Sequence, residues 1–508
     1  MPHAPRLTAL SSPPDDLRTA ALSASGGWPL VSTVSGAGRG PLPAGSPAAV
    51  LRRSRHLLGE ARVPAAGIGE AAALAQVRQL LDETGIDLSH PRAAAHLQPP
   101  VLRVAVLADA LASASNASLD TYDSGPATLA VEQWVVRALA RLAGFGAGAD
   151  GVLTPGGSMS NLLAVLLARD VAAARAGLDA RRRGVQGLDR PVVFCSELAH
   201  FSVQRACAAL GLGEDAVVTI GTDDAFRMRT DLLAAELRRP GRTPVAIVAT
   251  AGTTDYGSVD PLTAIAELAR EHRTWLHVDA AYGFGALFSD RLAPLLDGLA
   301  LADSVTLDLH KIGWQPAATS VLLVEDRGRF AALERSVDYL NPADDIDAGL
   351  DGLLGRSLQT TRRPDAVKVA TTLRAYGRDG LGRMLDHCHD LARTAAARVV
   401  ADGNLELLAP VTLTTVVFRF TGAGSDDAVQ GEIRRRLLIS GRALIGRTTL
   451  PARGGREART ALKLTLLNPN ATAADVATLL DLVAETGHAV LASPVDEQHA
   501  DLNGEGAA

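Results

Sequence analysis

SVTLDLHK, residues 304–311, begins as an apolar, β-branched run and ends in three polar groups, Asp308, His310 and Lys311. WLHVDAAYG (275–283) has the same design and delivers Asp279, 32 residues before the lysine. VAIVATAGTT (245–254) closes on Gly252, Thr253 and Thr254. Similar runs lie at 191–195, 216–220, 244–250, 275–280, 303–309 and 318–324, with helical stretches such as 260–272 between several of them. Continuous apolar strands separated by helices predict an α/β fold with a mostly parallel central sheet covered on both faces. Open sheets of this kind bind ligands beyond the carboxyl ends of their strands, which is where these polar residues fall.

Of the 50 basic residues, only Lys311, Lys368 and Lys463 are lysine. Arginine replaces lysine where charge alone matters, but a guanidinium holds its proton and forms no imine. Each remaining lysine is therefore a candidate for amine chemistry, and Lys311 alone lies at a predicted strand end. A buried Lys311–Asp279 salt bridge is the plain alternative.

TPGGSMSN (154–161) opens the helical run NLLAVLLARDVAAARAG. Free backbone N–H groups and a hydroxyl at a helix start suit a phosphate; an ordinary serine cap is the other reading. No GK[ST] follows, which excludes a nucleotide P-loop, and GFGAGADG (144–151) follows a helix rather than a strand, which excludes a dinucleotide fingerprint. The HCH run at 387–389 lies in a helical pattern where i and i+2 face apart, so no metal site is expected. A phosphate cradle, a strand-end lysine and a strand-end aspartate together match the three handles of pyridoxal phosphate: imine-forming amine, partner of the ring nitrogen, and phosphate site. His200, after the 191–195 strand, is placed to stack on a flat ring, although a lone histidine there also reads as structural.

The 508 residues exceed what one hydrophobic core usually serves. Residues 1–50, rich in Ala, Ser, Pro and Gly, read as a mostly disordered arm. An N-terminal helical segment follows over 51–125, with helices at 68–85 and 101–115. A large domain is expected over 126–340, starting with a helix at 127–143. A smaller α/β C-terminal domain covers 341–490, with helices at 364–376 and 380–402 and strands at 411–420 and 461–467. Residues 491–508 read as a flexible tail. A formal charge of −6 gives no footprint for nucleic acid or an anionic membrane. No apolar run is long enough to span a bilayer, and the N-terminus has no secretory h-region. Three cysteines make no disulfide framework, so a cytoplasmic protein is expected.

The chain resembles the group II pyridoxal-phosphate-dependent amino-acid decarboxylases of fold type I (aspartate-aminotransferase-like) over about 85–485. The markers are HPRAAAHLQPP (90–100), GPATLAVE (125–132), GVLTPGGSMSN (151–161), AHFSV (199–203), ATAGTT (249–254), HVDAAYG (277–283), DLHK (308–311) and SLQTTRRPDAVK (357–368). SNASLDTYD (115–123), DYLNP (338–342) and LKLTLLNP (462–469) look most like the bacterial branch acting on diamino acids. That branch holds L-2,4-diaminobutyrate decarboxylases and the lysine decarboxylases of siderophore pathways.

The resemblance implies that Lys311 is the Schiff-base lysine, Asp279 partners the pyridine nitrogen, and His200 and Ala281 flank the ring. It implies that Ser158, with the backbone at Gly157 and Met159, holds the phosphate, helped by His310 and Asp308, with Thr254 near the ring oxygen. His96, Asp120 and Asp123 are candidates for a substrate's distal ammonium, the two aspartates reading equally as turn formers. The tyrosine that relatives use to reprotonate Cα has no counterpart in 341–363, leaving Tyr339, Lys311 or a histidine. The resemblance also implies a homodimer acting on a small amino acid. Lysine, ornithine or aromatic decarboxylation, transamination, oxidative deamination and a non-catalytic protein of this fold are the competing readings.

Overall fold

The computed structural model describes residues 27–32, 34, 38–335, 337–452 and 457–492. Most of the arm expected at 1–50 and all but two residues of the tail expected at 491–508 therefore lie outside the described residues. Within the former, the helix Pro47–Leu58 already starts, capped by the Ser46 hydroxyl accepting from Ala49 N–H.

The described chain divides into two compact units. The first, Val101–His387, is built on seven strands: β1 Asp150–Thr154, β2 Pro191–Ser196, β3 Val217–Ile220, β4 Thr243–Thr250, β5 Trp275–Asp279, β6 Ser304–Asp308 and β7 Ser320–Val324. Their order is β1-β7-β6-β5-β4-β2-β3. The sheet is parallel except for β7, which runs antiparallel to both β1 and β6. β5, β6 and β7 are buried along their whole length, the cause of their unbroken apolar runs. The helix Gly157–Arg175 packs on this sheet through Leu163, Ala164, Leu167 and Ala168, against Val193, Val248 and Leu322. Each such buried leucine or valine contributes about 1.5–3 kcal/mol.

Register sets the functional edge. Thr250 pairs with Asp279, Asp279 with Thr306, Asp308 with Ser320, and Ser320 with Thr154. The strand-end residues thus lie in one row across five neighbouring strands.

The second unit is discontinuous: the described residues up to Pro100 join those from Cys388 onward. Its sheet comprises β8 Leu405–Leu407, β9 Thr415–Phe420, β10 Leu444–Leu450 and β11 Arg459–Thr465 in the order β8-β9-β11-β10. All three pairings are antiparallel, and Ala93–Ala94 adds parallel to Leu444–Ile445 at the edge. This differs from the three consecutive segments expected from sequence. Residues 101–125 belong with the large sheet, while the segment before them joins the C-terminal sheet through that two-residue strand, too short to leave a periodic signal. The helical run Ala366–Ala401 breaks at Gly377, whose φ of 62° suits glycine, matching the two helices expected there.

Candidate active site

At the carboxyl edge of the large sheet lies a cavity of about 280 Å³, lined in part by Gly157, Ser158, His200, Asp279, His310 and Lys311. The lining groups arrive from the ends of five strands. β6 delivers Asp308 and, just past it, His310 and Lys311. β5 delivers Asp279 and Ala281, β4 delivers Thr250, Gly252 and Thr254, and the turn after β2 delivers His200. Beyond β1, the turn Pro155–Gly156 leads into the helix Gly157–Arg175.

The helix start presents free backbone amides to the cavity edge. The amides of Gly157 and Ser158 precede any carbonyl four residues back within the helix. Met159 is different: its N–H donates to Gly156 O at 3.0 Å, and it is not among the lining residues, so it drops out of the expected phosphate set. A Cβ on Gly157 would stand 2.9 Å from Asp308 Oδ1, so any larger residue there would have to displace that buried carboxylate.

Asp308 also departs from expectation. It is buried; its Oδ2 lies 2.9 Å from Lys311 Nζ and 3.7 Å from His310 Nε2, and its Oδ1 accepts from the Ser320 hydroxyl. A carboxylate so placed holds the lysine's ammonium rather than assisting an anionic phosphate. The His310 ring is fixed at Nδ1 by the backbone of Thr319.

Asp279 is buried, with Oδ1 accepting from Ala281 N–H at 3.1 Å and Oδ2 from Asn161 Nδ2–H at 2.8 Å. Asn161 went unremarked in the sequence although it closes the TPGGSMSN motif; its partner Asp279 is 118 residues away. Thr250 was missed too. It lines the cavity, and its buried hydroxyl has no hydrogen-bond partner among the described residues. Burial lowers the His200 pKa, Asp279 opposes this, and the Lys311 ammonium lowers it further, so the ring favours its neutral form.

The substrate candidates are not among the lining residues. His96 lies in the second unit, where it lines a cleft with Arg434, Arg447 and Lys463. Burial lowers its pKa, and Lys463 and Arg434 lower it further. Such surroundings repel an ammonium and attract an anion, the reverse of the expectation. Asp120 and Asp123 bond their own turn: Ser118 and Ser124 hydroxyls donate to Asp120, and Thr121 Oγ1–H donates to Asp123 at 2.6 Å. They act as turn formers and do not line the cavity. Tyr339 is 84% exposed in the turn between Val337 and Asn341 and is also absent from the lining. Of the other two lysines, Lys368 is buried between Asp109 and Asp365, at 3.1 and 3.0 Å, and is structural. Among the described residues no group of His, Cys, Asp and Glu could hold a metal ion, and no helix is long and apolar enough to cross a membrane.

Free amides at a helix start, a lysine paired with buried Asp308 and a second buried carboxylate, Asp279, on the same cavity fit a phosphorylated aldehyde with a ring nitrogen. The comparisons agree. The pyridoxal-dependent decarboxylase conserved domain matches residues 58–421. The chain is 44% identical over 432 residues to the L-2,4-diaminobutyrate decarboxylase of Rhizobium meliloti (strain 1021), covering 84% of this chain and 83% of that protein. It is 35% identical over 430 residues to the enzyme of the same name from Acinetobacter baumannii, covering 82% and 83%. Among solved structures, the glutamate decarboxylase domain of diaminobutyrate-pyruvate transaminase and L-2,4-diaminobutyrate decarboxylase from Vibrio parahaemolyticus matches with a TM-score of 0.79 at 32% identity, covering 89% of this chain and 91% of that one. Mouse CSAD in its apo form matches at 0.80 and 28% identity, covering 90% and 94%. By its strand-end lysine, its fold and its sequence alike, this chain belongs to the pyridoxal-dependent decarboxylase family, amino-acid decarboxylases that work with pyridoxal phosphate.

Proposed function

We propose that the chain decarboxylates L-2,4-diaminobutyrate, releasing CO2 and leaving the diamine. The observation that carries the chemistry is the convergence of Lys311, Asp279 and His200 on one cavity beside the Gly157–Ser158 cradle. The substrate rests on the names of the 44% and 35% identical relatives.

In this reading the amides of Gly157 and Ser158, with the Ser158 hydroxyl, hold the phosphate, and Lys311 carries the aldehyde. When bound, the cofactor supplies an electron sink for the bond pair released as CO2 departs. Lys311 must shed a proton before its nitrogen can attack a carbonyl, and Asp308 Oδ2, 2.9 Å away, is placed to take it. Asp279 would hold a proton on the ring nitrogen by its negative charge, and His200 would lie against the ring. Lys311 would be the group at hand to return a proton to Cα, since Tyr339 is not in the cavity lining.

The protein acts as a homodimer in the cytoplasm. Helices Pro47–Leu58 and Glu70–Thr84 bury none of their residues, and with their connection they expose Leu51, Leu58, Val63, Ile68, Leu74, Val77 and Leu81. A second copy of the chain would cover this apolar surface. The three cysteines are buried and unpaired, as in a reducing compartment.

The test is CO2 release from L-2,4-diaminobutyrate, lysine, ornithine and tyrosine, with aldehyde and keto acid measured alongside. Fastest release from diaminobutyrate, with amine as product, is expected. Faster release from another member of the panel overturns the substrate, and keto acid or aldehyde as main product overturns the reaction. Light scattering on the purified protein is expected to give twice the chain mass; the mass of one chain overturns the dimer.

A further inference from the structure

Behind the cavity a line of buried side chains links Asp279 and His200 to the interior of the sheet, and its hydrogen-bond direction is determined at both ends. Asp279, as a carboxylate, only accepts, so Asn161 must turn its amide nitrogen toward Oδ2 at 2.8 Å. The opposite amide orientation would place oxygen against an anion. Asn161 Oδ1 therefore faces His277 Nε2 at 3.0 Å and requires a proton there. With that proton on Nε2, the neutral ring leaves His277 Nδ1 as an acceptor, and the Ser304 hydroxyl donates to it at 2.8 Å. Ser304 Oγ in turn accepts from the indole N–H of Trp275 at 2.9 Å, a group that only donates. A donor-only end and an acceptor-only end thus agree on one direction for every bond between them.

A branch runs to the cavity. The other N–H of Asn161 donates to Ser202 Oγ at 2.9 Å, and Ser202 Oγ–H donates to His200 Nδ1 at 2.9 Å. The backbone N–H of Ser202, which only donates, also points at His200 Nδ1, at 3.3 Å. Nδ1 is consequently an acceptor, and the proton of neutral His200 sits on Nε2. Asn161, His277, Ser202, Ser304 and Trp275 are all buried, so no water competes for these bonds. Burial also lowers the His277 pKa to about 4, which keeps the ring neutral.

We infer that Asn161 is a positioning residue that couples the two sides of the cofactor site: one amide N–H holds Asp279 as an oriented anion, and the other, through Ser202, locks His200 in its Nε2–H tautomer. His277, Ser304 and Trp275 fix which way that amide faces. The inference rests on the proposed roles of Asp279 and His200 and adds the device that sets their states.

The experiment has two arms on the full-length protein. In the first, nitrogen-15 spectra of histidine-labelled holoenzyme, with His200→Asn identifying the resonance, are expected to show His200 neutral with its proton on Nε2. Ser202→Ala, a minimal change, is expected to give a mixture of tautomers. A proton on Nδ1 of His200 in the wild type, or an unchanged tautomer in Ser202→Ala, overturns the inference. In the second, the affinity of the apoenzyme for pyridoxal phosphate is read from fluorescence quenching. Asn161→Asp puts an acceptor where the donors stood and is expected to weaken binding roughly 10-fold or more. Normal affinity in Asn161→Asp, with Asp279→Ala impaired, overturns the coupling but leaves the role of Asp279 standing. Normal affinity in Asp279→Ala instead overturns the proposed role of Asp279 itself. Should Asn161→Asp fail to fold, the spectra of the wild type and of Ser202→Ala still decide.

Discussion

Lys311 Nζ lies 2.9 Å from Asp308 Oδ2, a carboxylate three residues earlier whose side chain is only 3% exposed. The pair lies at the end of β6, so the strand that positions the amine also carries the group that balances its charge. A buried carboxylate tolerates this position because the lysine and the Ser320 hydroxyl satisfy both its oxygens.

Lys311→Ala is expected to abolish covalent attachment of pyridoxal phosphate and all decarboxylation. It also leaves Asp308 without its cation, which should destabilise the apoenzyme by about 1–3 kcal/mol. Mass spectrometry after borohydride reduction and denaturant unfolding of the apoenzyme check the two effects. Cofactor retained covalently in this variant refutes the assignment.

Asp279→Ala removes the carboxylate expected to keep the ring nitrogen protonated. Turnover should fall on the order of 10²-fold or more, the size seen when a preorganised electrostatic partner is deleted. Single-turnover CO2 release at saturating cofactor separates this from weaker binding, and an unchanged rate contradicts the role.

Glu132 and Arg362, 230 residues apart, form a buried ion pair at 2.6 Å. Glu132 Oε1 also accepts from Leu153 N–H at 3.4 Å, tying the pair to β1 and so to the phosphate cradle that follows it. Arg362→Ala strands a buried carboxylate and should cost about 3–5 kcal/mol. Adding Glu132→Gln should recover part of that loss in thermal unfolding. A single variant as stable as the wild type excludes the pair as a structural clamp.

Asp260 is buried and accepts N–H bonds from Met228 at 2.7 Å and Thr250 at 2.8 Å. Burial raises its pKa to about 6. The folded state therefore binds the proton more tightly than the unfolded chain does. The resulting stabilisation is complete below the unfolded pKa of about 3.9 and is lost as pH rises through about 6, a swing of roughly 3 kcal/mol. The difference in melting temperature between wild type and Asp260→Asn should accordingly shift against the wild type between pH 4 and 6 and level off above 7. A difference that does not vary with pH contradicts the raised value.

The strands of the large sheet were legible where burial on both faces leaves continuous apolar runs, as in β4, β5, β6 and β7. β10 was not, because Leu444–Leu450 has three buried positions followed by exposed Arg447, buried Thr448 and exposed Thr449, which matches neither a continuous apolar run nor a clean alternation. β1 was hidden by the glycines on both sides of Val152 and Leu153. At the site, Lys311 was legible from the scarcity of lysine and Asp279 from its place after a buried run. His96 was misread because its neighbours Arg434, Arg447 and Lys463 come from segments more than 300 residues away. Glu132 and Arg362 were visible as parts of two motifs, but nothing in either motif announced that they meet.

By itself the sequence determined which segments are buried strands and which polar groups stand at their ends, because burial and strand period are local and leave a mark on every few residues. Tertiary structure alone decided that Lys368 is locked between Asp109 and Asp365 while Lys311 faces a cavity. It also decided that Met159 spends its amide on Gly156, and which way Asn161 turns between His277 and Asp279. The direction of a hydrogen bond depends on which atoms meet, and these atoms meet only after chain segments distant in sequence are brought together.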